Sequence, residues 1–591
     1  MRTQLDPITL EVIRSSILTA VEEMKGTVVR TAYSTLWKLA GDVSCGLLTA
    51  ACDVVSQGRG EMPVHLACMP FGVRACLEEL GEGNLRPGDV LFQNDPYAGN
   101  NHLPDFLMAK PIFWENRIVA YSAVRGHYAD IGGAAPGSYS ATALDIYAEG
   151  LRIGPTLIYE QGEPNRDIIM VLQRNTRNAR ERLGDLRAQY AGCVIGERRI
   201  LDLFRRYGVE TMESAWSEIL SRAERVMRNR IAALPKGVYS FTDFCDNDGA
   251  GGPSIEITLR LEVAGDRIIA DFTGSSEQRP GSMNVPIGVT QGATCYAIKA
   301  ALDPDTPANS GSSWPIEIIA PKGTVLNCLP PAAVTIGSTE TSVRIYDVVL
   351  GALHQIVPEN VVAAGAGTSG VLMLGGIDPR PERKGHEFVS LLIAGGAQGA
   401  ACDQDGIHTT RVGIGNTGNQ PVESLEINFP YRVELYEIAA GTGGAGRYRG
   451  GCGIRTRVRF EAPAVLTCAS ERGVTEPYGL DGGGPGARTY LKVVDRPDGK
   501  PVGMLPTKTV PEVFPAGTLL EFCCAGGGGY GDPLDRDLLR VLADVENEFI
   551  SPEAARAQYG VVLVGGVRPV RWRIDPDATE SLRLERKGGI A

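Results

Sequence analysis

The chain has 591 residues, 43% of them hydrophobic and 22% charged, with a net charge of −12 at neutral pH. That length sets a prior of three or four folding units around a substantial core, and the acidic balance argues against a nucleic-acid partner, which needs Lys and Arg clustered on one face. The opening MRTQLDPITLEV lacks the basic-then-apolar order of a signal peptide, no window reaches membrane-span length, and the 13 Cys form no CxxC pair, so reduced thiols in a cytoplasmic protein with no membrane association are expected.

In chain order, Asp6-Pro7 reads as a helix N-cap and first turn, with Ile8, Val12, Ile13, Ile17, Val21 and Met24 recurring at helical spacing. Gly41 to Leu48 predicts a short strand that begins on polar residues, followed by a turn at Cys52-Asp53 into Val54-Val55. His65 sits between Val64 and Leu66, a setting for a packing residue that at most supports a ligand. The runs Val90-Leu91-Phe92 and Ile118 to Val124 predict buried strands.

Each of these runs leads into a polar, Gly-rich stretch: NDPYAGNNHLPD (Asn94 to Asp105) and RGHYADIGG (Arg125 to Gly133). Two of the chain's six His, His102 and His127, fall there, on what read as loops at strand ends, where sites are usually built. Asp105 follows His102 by three residues and Asp130 follows His127 by three. Neutral imidazole with carboxylate suits Zn, Mn or Fe, whereas an all-oxygen set would suit Mg or Ca. The spacing fits equally a pair of loop His satisfied by nearby carboxylates.

Further on, helices are expected over Thr176 to Arg206 and Met212 to Leu234, ended by Pro235-Lys236-Gly237, and again over Gln291 to Leu302 and Ser342 to Val357. After Glu423 the chain reads as strand and turn. The Gly-rich segments Gly441 to Gly451 and Ala525 to Pro533 match no phosphate loop and read as tight turns; no GxSxG elbow or credible dinucleotide fingerprint is present. The expected fold class is mixed α/β (α+β). It comprises a multi-layered N-terminal part with long helices carrying the metal site (1–235), a central α/β part (236–440), a β-rich, Gly-rich part (441–565) and a polar tail (566–591).

A series of motifs in fixed order resembles the hydantoinase B/oxoprolinase family almost from end to end. It runs through DPITLEVIRSSI, GDVSCGLLTA, MPVHLACMP, GDVLFQNDPYAGNNHLPD, RGHYADIGG, YAEGLRIGP, ETSVRIYDVVLGAL, TGGAGRYRGGCGI and GGGGYGDPLDRD. Thr442, where Ser commonly precedes GGAG, and Cys523-Cys524 depart from the usual pattern. The resemblance implies one divalent transition metal (Zn, Mn or Fe) held by His102, Asp105 and His127, with Asp42 of GDVSC completing the set. Asp105, His127, Asp130 and Glu149 are the implied catalytic candidates, and Asp95 a weaker one; for Asp95 and Asp130 turn formation and loop capping account for the residues at least as well. Two neutral His and two Asp would leave the ion site formally neutral.

The implied function is that of the hydrolytic, B-type subunit of an ATP-dependent cyclic amidohydrolase of hydantoinase, 5-oxoprolinase or lactamase type. Resonance makes an unstrained amide slow to open. In this family a hydantoinase A-type ATPase subunit, which binds ATP and Mg, activates the ring by phosphorylation, and an A2B2 heterotetramer is expected. The substrate is a small cyclic amide. The alternative is a subunit of an ATP-dependent ketone carboxylase of the acetone or acetophenone type. A non-catalytic structural role is disfavoured by the presence of Asp42, His102, Asp105 and His127.

Overall fold

The computed structural model describes residues 5–411, 413–565 and 571–588. Asp6 caps the first helix, Pro7–Thr31, by accepting from the Thr9 amide at 2.9 Å. Its buried stripe runs through Ile13, Ile17, Ala20, Met24 and Val28. Val12 lies one position off that stripe and Ile8 overhangs its end, so both are exposed, against expectation. The helix packs on a longer one, Ala179–Tyr207. A Cβ at Gly192 would come within 2.5 Å of Val28, and one at Gly196 within 2.1 Å of Ser122. Glycine at these positions is therefore required by close approach to helix and sheet together.

Beneath the two helices lies a seven-stranded antiparallel sheet. Its order is Val54–Gln57, Val43–Thr49, Arg117–His127, Asp105–Trp114, Val90–Gln93, Thr156–Glu160 and Glu163–Pro164. Helix Pro63–Leu80 covers its other face, where a Cβ at Gly72 would meet Leu107 at 2.7 Å. Successive strand residues feed separate cores. Val90, Phe92, Phe106 and Met108 join the long helices, while Leu91, Leu107 and Ala109 join helix Pro63–Leu80. A strand buried on both faces shows an unbroken apolar run, which is why Val90-Leu91-Phe92 has no polar alternation.

Strands Gly237–Cys245, Ile255–Ala264, Arg267–Asp271 and Ile316–Ile319 form a second sheet, with helices Ile287–Leu302 and Thr341–His354 packed beside it. One apolar core includes Ile13, Val124, Leu261, Val349 and Met373, and so passes residue 235 without a break. The C-terminal part is a sandwich of a four-stranded and a five-stranded sheet around Leu372, Leu466, Val458 and Phe522. In strand Val371–Ile377 the alternate residues Val371 and Met373 face the main core instead. This sheet thereby closes over the N-terminal layer.

The two Gly-rich segments are not simple turns. Gly450 and Gly527 lie so close that a Cβ on the first would sit 1.9 Å from the carbonyl oxygen of the second, and the Gly527 amide donates to Gly451 O at 3.0 Å. Where they meet they are backbone packed on backbone, with no room for a side chain at Gly450 or Gly527. Of the expected polar tail, residues 566–570 and 589–591 lie outside the described residues. Strand Arg573–Ile574 and helix Pro576–Gly588 belong to the rest, and the tail is docked on the chain itself. Arg583 donates to Tyr559 O at 3.0 Å and to Arg536 O at 2.9 Å.

A buried ionic cluster ties the central and C-terminal parts together. Arg344 Nη1 lies 2.9 Å from Asp243 and 3.3 Å from Asp347, while Arg472 Nη2 lies 2.8 Å and 3.1 Å from the same two carboxylates. Glu471 is 3.6 Å from Arg344 and also pairs with Lys508. All 13 Cys are free thiols, and no helix among the described residues is long and apolar enough to cross a membrane.

Candidate metal centre

Strand register assembles the site. In the antiparallel pairs Val43 faces Gly126 and Asp105 faces His127. Asp42, just before its strand, His127 at the end of the next and Asp105 at the start of the third therefore share one edge of the sheet. His127 is thus the last residue of a strand, not a loop residue as expected. Its backbone is fixed on both sides: its amide donates to Asp42 O at 3.2 Å and its carbonyl accepts from Trp37 Nε1 at 2.7 Å.

His102 reaches the same edge because the chain before Asp105 folds back on itself. Asn100 Nδ2 donates to Asn94 O (3.1 Å), to His102 O (2.8 Å) and to Asp105 O. Asn94 Nδ2 in turn donates to Leu103 O at 2.7 Å and Leu151 O at 2.8 Å. The asparagines of NDPYAGNNHLPD are the scaffold of this loop, satisfying carbonyls that would otherwise be buried without partners.

Asp105 Oδ1 lies 2.7 Å from His127 Nδ1 and 2.9 Å from His102 Nε2, and the two nitrogens are 3.2 Å apart. All three residues are buried. An ion with bonds of roughly 2.0–2.2 Å to N and O ligands holds them ~3.3 Å apart in a tetrahedral shell, so the triangle is nearly of that size. The donor chemistry points the same way. His102 Nδ1 faces Thr335 O at 3.0 Å and must donate to it, so in the neutral ring Nε2 carries a lone pair aimed at a carboxylate oxygen. Two acceptors face one another there, and a cation or a proton must lie between them.

Without a metal the proton takes that place. Burial opposes charging His102, but the Asp105 carboxylate, the hydrogen bond to Thr335 O and Asp42 together outweigh it and raise its pKa. Asp105, despite its own burial, is held well below the usual carboxylate range by His102 and His65. A divalent ion has to displace the His102 proton, so metal affinity is expected to fall as pH drops through that raised pKa, by about tenfold per unit. Competition against a chromophoric chelator between pH 5.5 and 9 measures this; an affinity flat over the range would refute the ligand role of His102.

Asp42 lines the same cavity but lies outside the three-atom cluster. Among the described residues its Oδ1 is buried with no hydrogen-bond partner, a costly state for a carboxylate unless a cation is near. Asp42, His102, Asp105 and His127 therefore fit a divalent ion. The outer oxygen of Asp105 is braced by His65 Nε2 at 2.8 Å and by Asn101 Nδ2, with His65 Nδ1 3.1 Å from Ser44 Oγ. His65 braces Asp105 directly, the supporting part its setting in the sequence allowed. The available signal was that an imidazole on a buried helix face needs a polar partner.

Three of the expected candidates, Asp130, Asp95 and Glu149, do not line the cavity. Asp130 accepts from the Gly132, Gly137 and Arg177 amides at 2.9, 2.9 and 2.8 Å and from Arg177 Nη1 at 2.9 Å. Its lone pairs are used in holding the loop after His127, which removes it as a proton-transfer group. Asp95 caps a turn by accepting from the Tyr97 amide at 3.0 Å. Glu149 does not line the cavity; it accepts from the Val334 amide at 3.0 Å and the Thr335 amide at 2.8 Å. Burial pushes its carboxyl up to about 7. Because Thr335 O receives the His102 proton, Glu149 is a positioning residue for His102. Glu149→Ala is expected to weaken metal binding by about 10–100-fold, the usual cost of losing such support. Chelator competition would show it, and an unchanged affinity would refute the linkage.

The cavity wall also includes Tyr139, Ser338, Thr339, Ser369 and Arg411. These come from segments far apart in sequence and carry no local motif, so sequence reasoning missed them.

The layered fold carries a buried cluster of two His and one Asp that could hold a metal ion. A family model for hydantoinase B/oxoprolinase matches residues 6–533. The putative D-/L-hydantoinase B-type subunit of a Pseudomonas species (strain NS671) is 31% identical, covering 98% of each chain. The beta subunit of the caprolactamase of Pseudomonas jessenii is 32% identical over 95% of this chain and 97% of its own. The crystal structure of the ATP-dependent caprolactamase from that organism superposes with a TM-score of 0.90 at 30% identity, covering 98% of this chain and all of that one. An acetone carboxylase structure superposes at 0.91 with 22% identity, covering 99% of this chain and 83% of that one, which shows a shared fold. The chain belongs to the hydantoinase B/oxoprolinase family.

Proposed function

We propose that this chain is the metal-bearing hydrolytic subunit of an ATP-dependent cyclic amide hydrolase, opening a ring that a hydantoinase A-type partner has activated by phosphorylation. The observation that carries the reading is the buried triangle of His102 Nε2, His127 Nδ1 and Asp105 Oδ1, with Asp42 beside it, whose Oδ1 is buried without a partner among the described residues. The relatives named as a B-type hydantoinase subunit and an ATP-dependent caprolactamase support the reaction class. Their subunit names support a partner, which we place in an A2B2 assembly that holds ATP and Mg on the A-type subunits. Thirteen free thiols fit a reducing cytoplasm.

Asp42, His102, Asp105 and His127 would hold the ion, for which a His and Asp set suits Zn, Mn or Fe. When bound, such an ion lowers the pKa of water and polarises a carbonyl oxygen. The chain's own residues do the positioning. Thr335 O fixes the tautomer of His102, Glu149 fixes Thr335, and His65 with Asn101 fixes the carboxylate plane of Asp105. Once Nδ1 of His127 faces the cluster its proton sits on Nε2, a buried atom with no partner among the described residues and therefore an available donor to a substrate oxygen. Burial of the whole set excludes bulk water, which would destroy an activated amide unproductively.

The test is the purified chain mixed with its ATPase partner, ATP and a panel of cyclic amides and ketones, scored for ADP and for ring opening. About one divalent ion per chain and chelator-sensitive ring opening are expected. Carboxylation of a ketone in place of ring opening would assign the chain to the carboxylase branch, and a metal-free chain of full activity would overturn the site.

A further inference from the structure

The cavity at the metal cluster is small, about 30 Å³, room for an ion or a single water. A second cavity of about 560 Å³ adjoins it, and Arg411 and Gly415 line both. That volume falls in the range of small-ligand sites. Its wall is built from Tyr296, Tyr346, Gln398, Asn416 and Asn419 among others, and Arg411 is the one charged side chain on it among the described residues.

Arg411 is poorly satisfied by the chain. Its Nη2 donates to Ser369 Oγ at 3.0 Å, but Nε and Nη1 are enclosed without a partner among the described residues. Among the described residues no carboxylate comes within ion-pair distance; Asp42 and Glu340 act on it only from farther away. Burial pushes its pKa down for the same reason. A Cβ at Gly415 would lie 2.7 Å from Arg411 Nε, so glycine there makes room for the guanidinium. Unpaired N–H groups of an enclosed guanidinium are costly unless an anion completes them. Ser338, Thr339, Ser342 and Val343, around the start of helix Thr341–His354, also line the metal cavity, and the positive end of a helix favours negative charge. In a chain of net charge −12, an anion reaches this interior only where such local charge holds it.

We propose that Arg411 is the oxyanion-binding residue of this site. It takes a carboxylate or phosphoryl oxygen of a small polar substrate whose body fills the larger cavity, and so sets the reacting carbon at the metal cluster. The inference rests on the hydrolase reading for the identity of the substrate, but not for the binding itself.

Calorimetric titration of the metal-loaded full chain with inorganic phosphate and with propionate tests it. Wild type is compared with Arg411→Met and Arg411→Lys, and metal content is measured for each. Wild type is expected to bind at least one of the two anions. Arg411→Met should bind it at least tenfold more weakly with metal content unchanged. Arg411→Lys, which keeps the charge but loses the planar fork, should fall between them and carries the test if the Met variant does not fold. Binding of phosphate only assigns the oxyanion to a phosphoryl group, and binding of propionate only to a carboxylate. Equal affinity in wild type and Arg411→Met, or no binding of either anion to wild type, overturns the proposal. A chelator-stripped wild type separates the two readings. Binding that needs the metal and ignores Arg411 sinks this inference alone, whereas Arg411-dependent binding in a chain that never carried metal supports it and sinks the hydrolase reading.

Discussion

Asp105→Ala in the assembled enzyme is expected to lower ring opening by more than about 100-fold, beyond the upper end of what losing a mere support for a metal ligand costs. Asp105 is the residue on which the site converges. Its Oδ1 meets His127 and His102 at 2.7 and 2.9 Å, and its Oδ2 meets His65 at 2.8 Å. Removing it deletes a ligand and leaves three buried imidazoles without their shared anion, so metal should be lost together with activity. ATP binding and substrate phosphorylation should continue, because the proposed function places those steps on the partner subunit. Asp105→Asn makes the sharper comparison: it keeps the shape and a carbonyl oxygen but removes the charge, and is expected to retain the fold while losing most of the metal. If Asp105→Ala opened rings at near wild-type rates within an intact complex, the hydrolytic site would have to be moved to the partner.

Arg344→Met is expected to cost about 3–5 kcal/mol of stability, the usual penalty for deleting one side of a buried ion cluster. Arg344 is fully buried, and it faces Asp243 at 2.9 Å, Asp347 at 3.3 Å and Glu471 at 3.6 Å. Without it, three enclosed carboxylates keep only Arg472 and Lys508 as counter-charges. The magnitude comes from the charge left behind, not from the strength of the original pairs. The double change Arg344→Met with Asp347→Leu should therefore recover part of the loss, since it removes an anion along with the cation. Urea unfolding of the isolated chain gives the comparison. A midpoint for Arg344→Met equal to that of wild type would show that these groups are neutral or solvated in the folded state.

Much of the architecture was legible because it is written locally. The N-cap at Asp6, the helical stripe of the long N-terminal helix and the unbroken apolar run at Val90-Leu91-Phe92 depend on neighbours within a few residues, and the elements formed where those patterns lie. The HxxD spacing and the loop asparagines likewise marked Asn94 to Asp105 as the place to look. Where the reading failed, the missing information was long-range. Turn formation at Asp130 was legible from its glycines, but nothing nearby reveals that Arg177, from a distant segment, will occupy its oxygens as well. Nothing near Glu149 shows that it will reach His102 only through the backbone of Thr335.

The order of amino acids dictates which donors exist and which strands and helices carry them, because propensity, periodicity and turn chemistry act over a few residues. Which donors meet is settled only in the folded chain. A shift of one residue in the pairing of Asp105 with His127 would turn these side chains to opposite faces of the sheet, and that register is held by side chains packed from both layers. The same holds for Arg411, which reaches the metal cavity only because the C-terminal sheet closes over the N-terminal one.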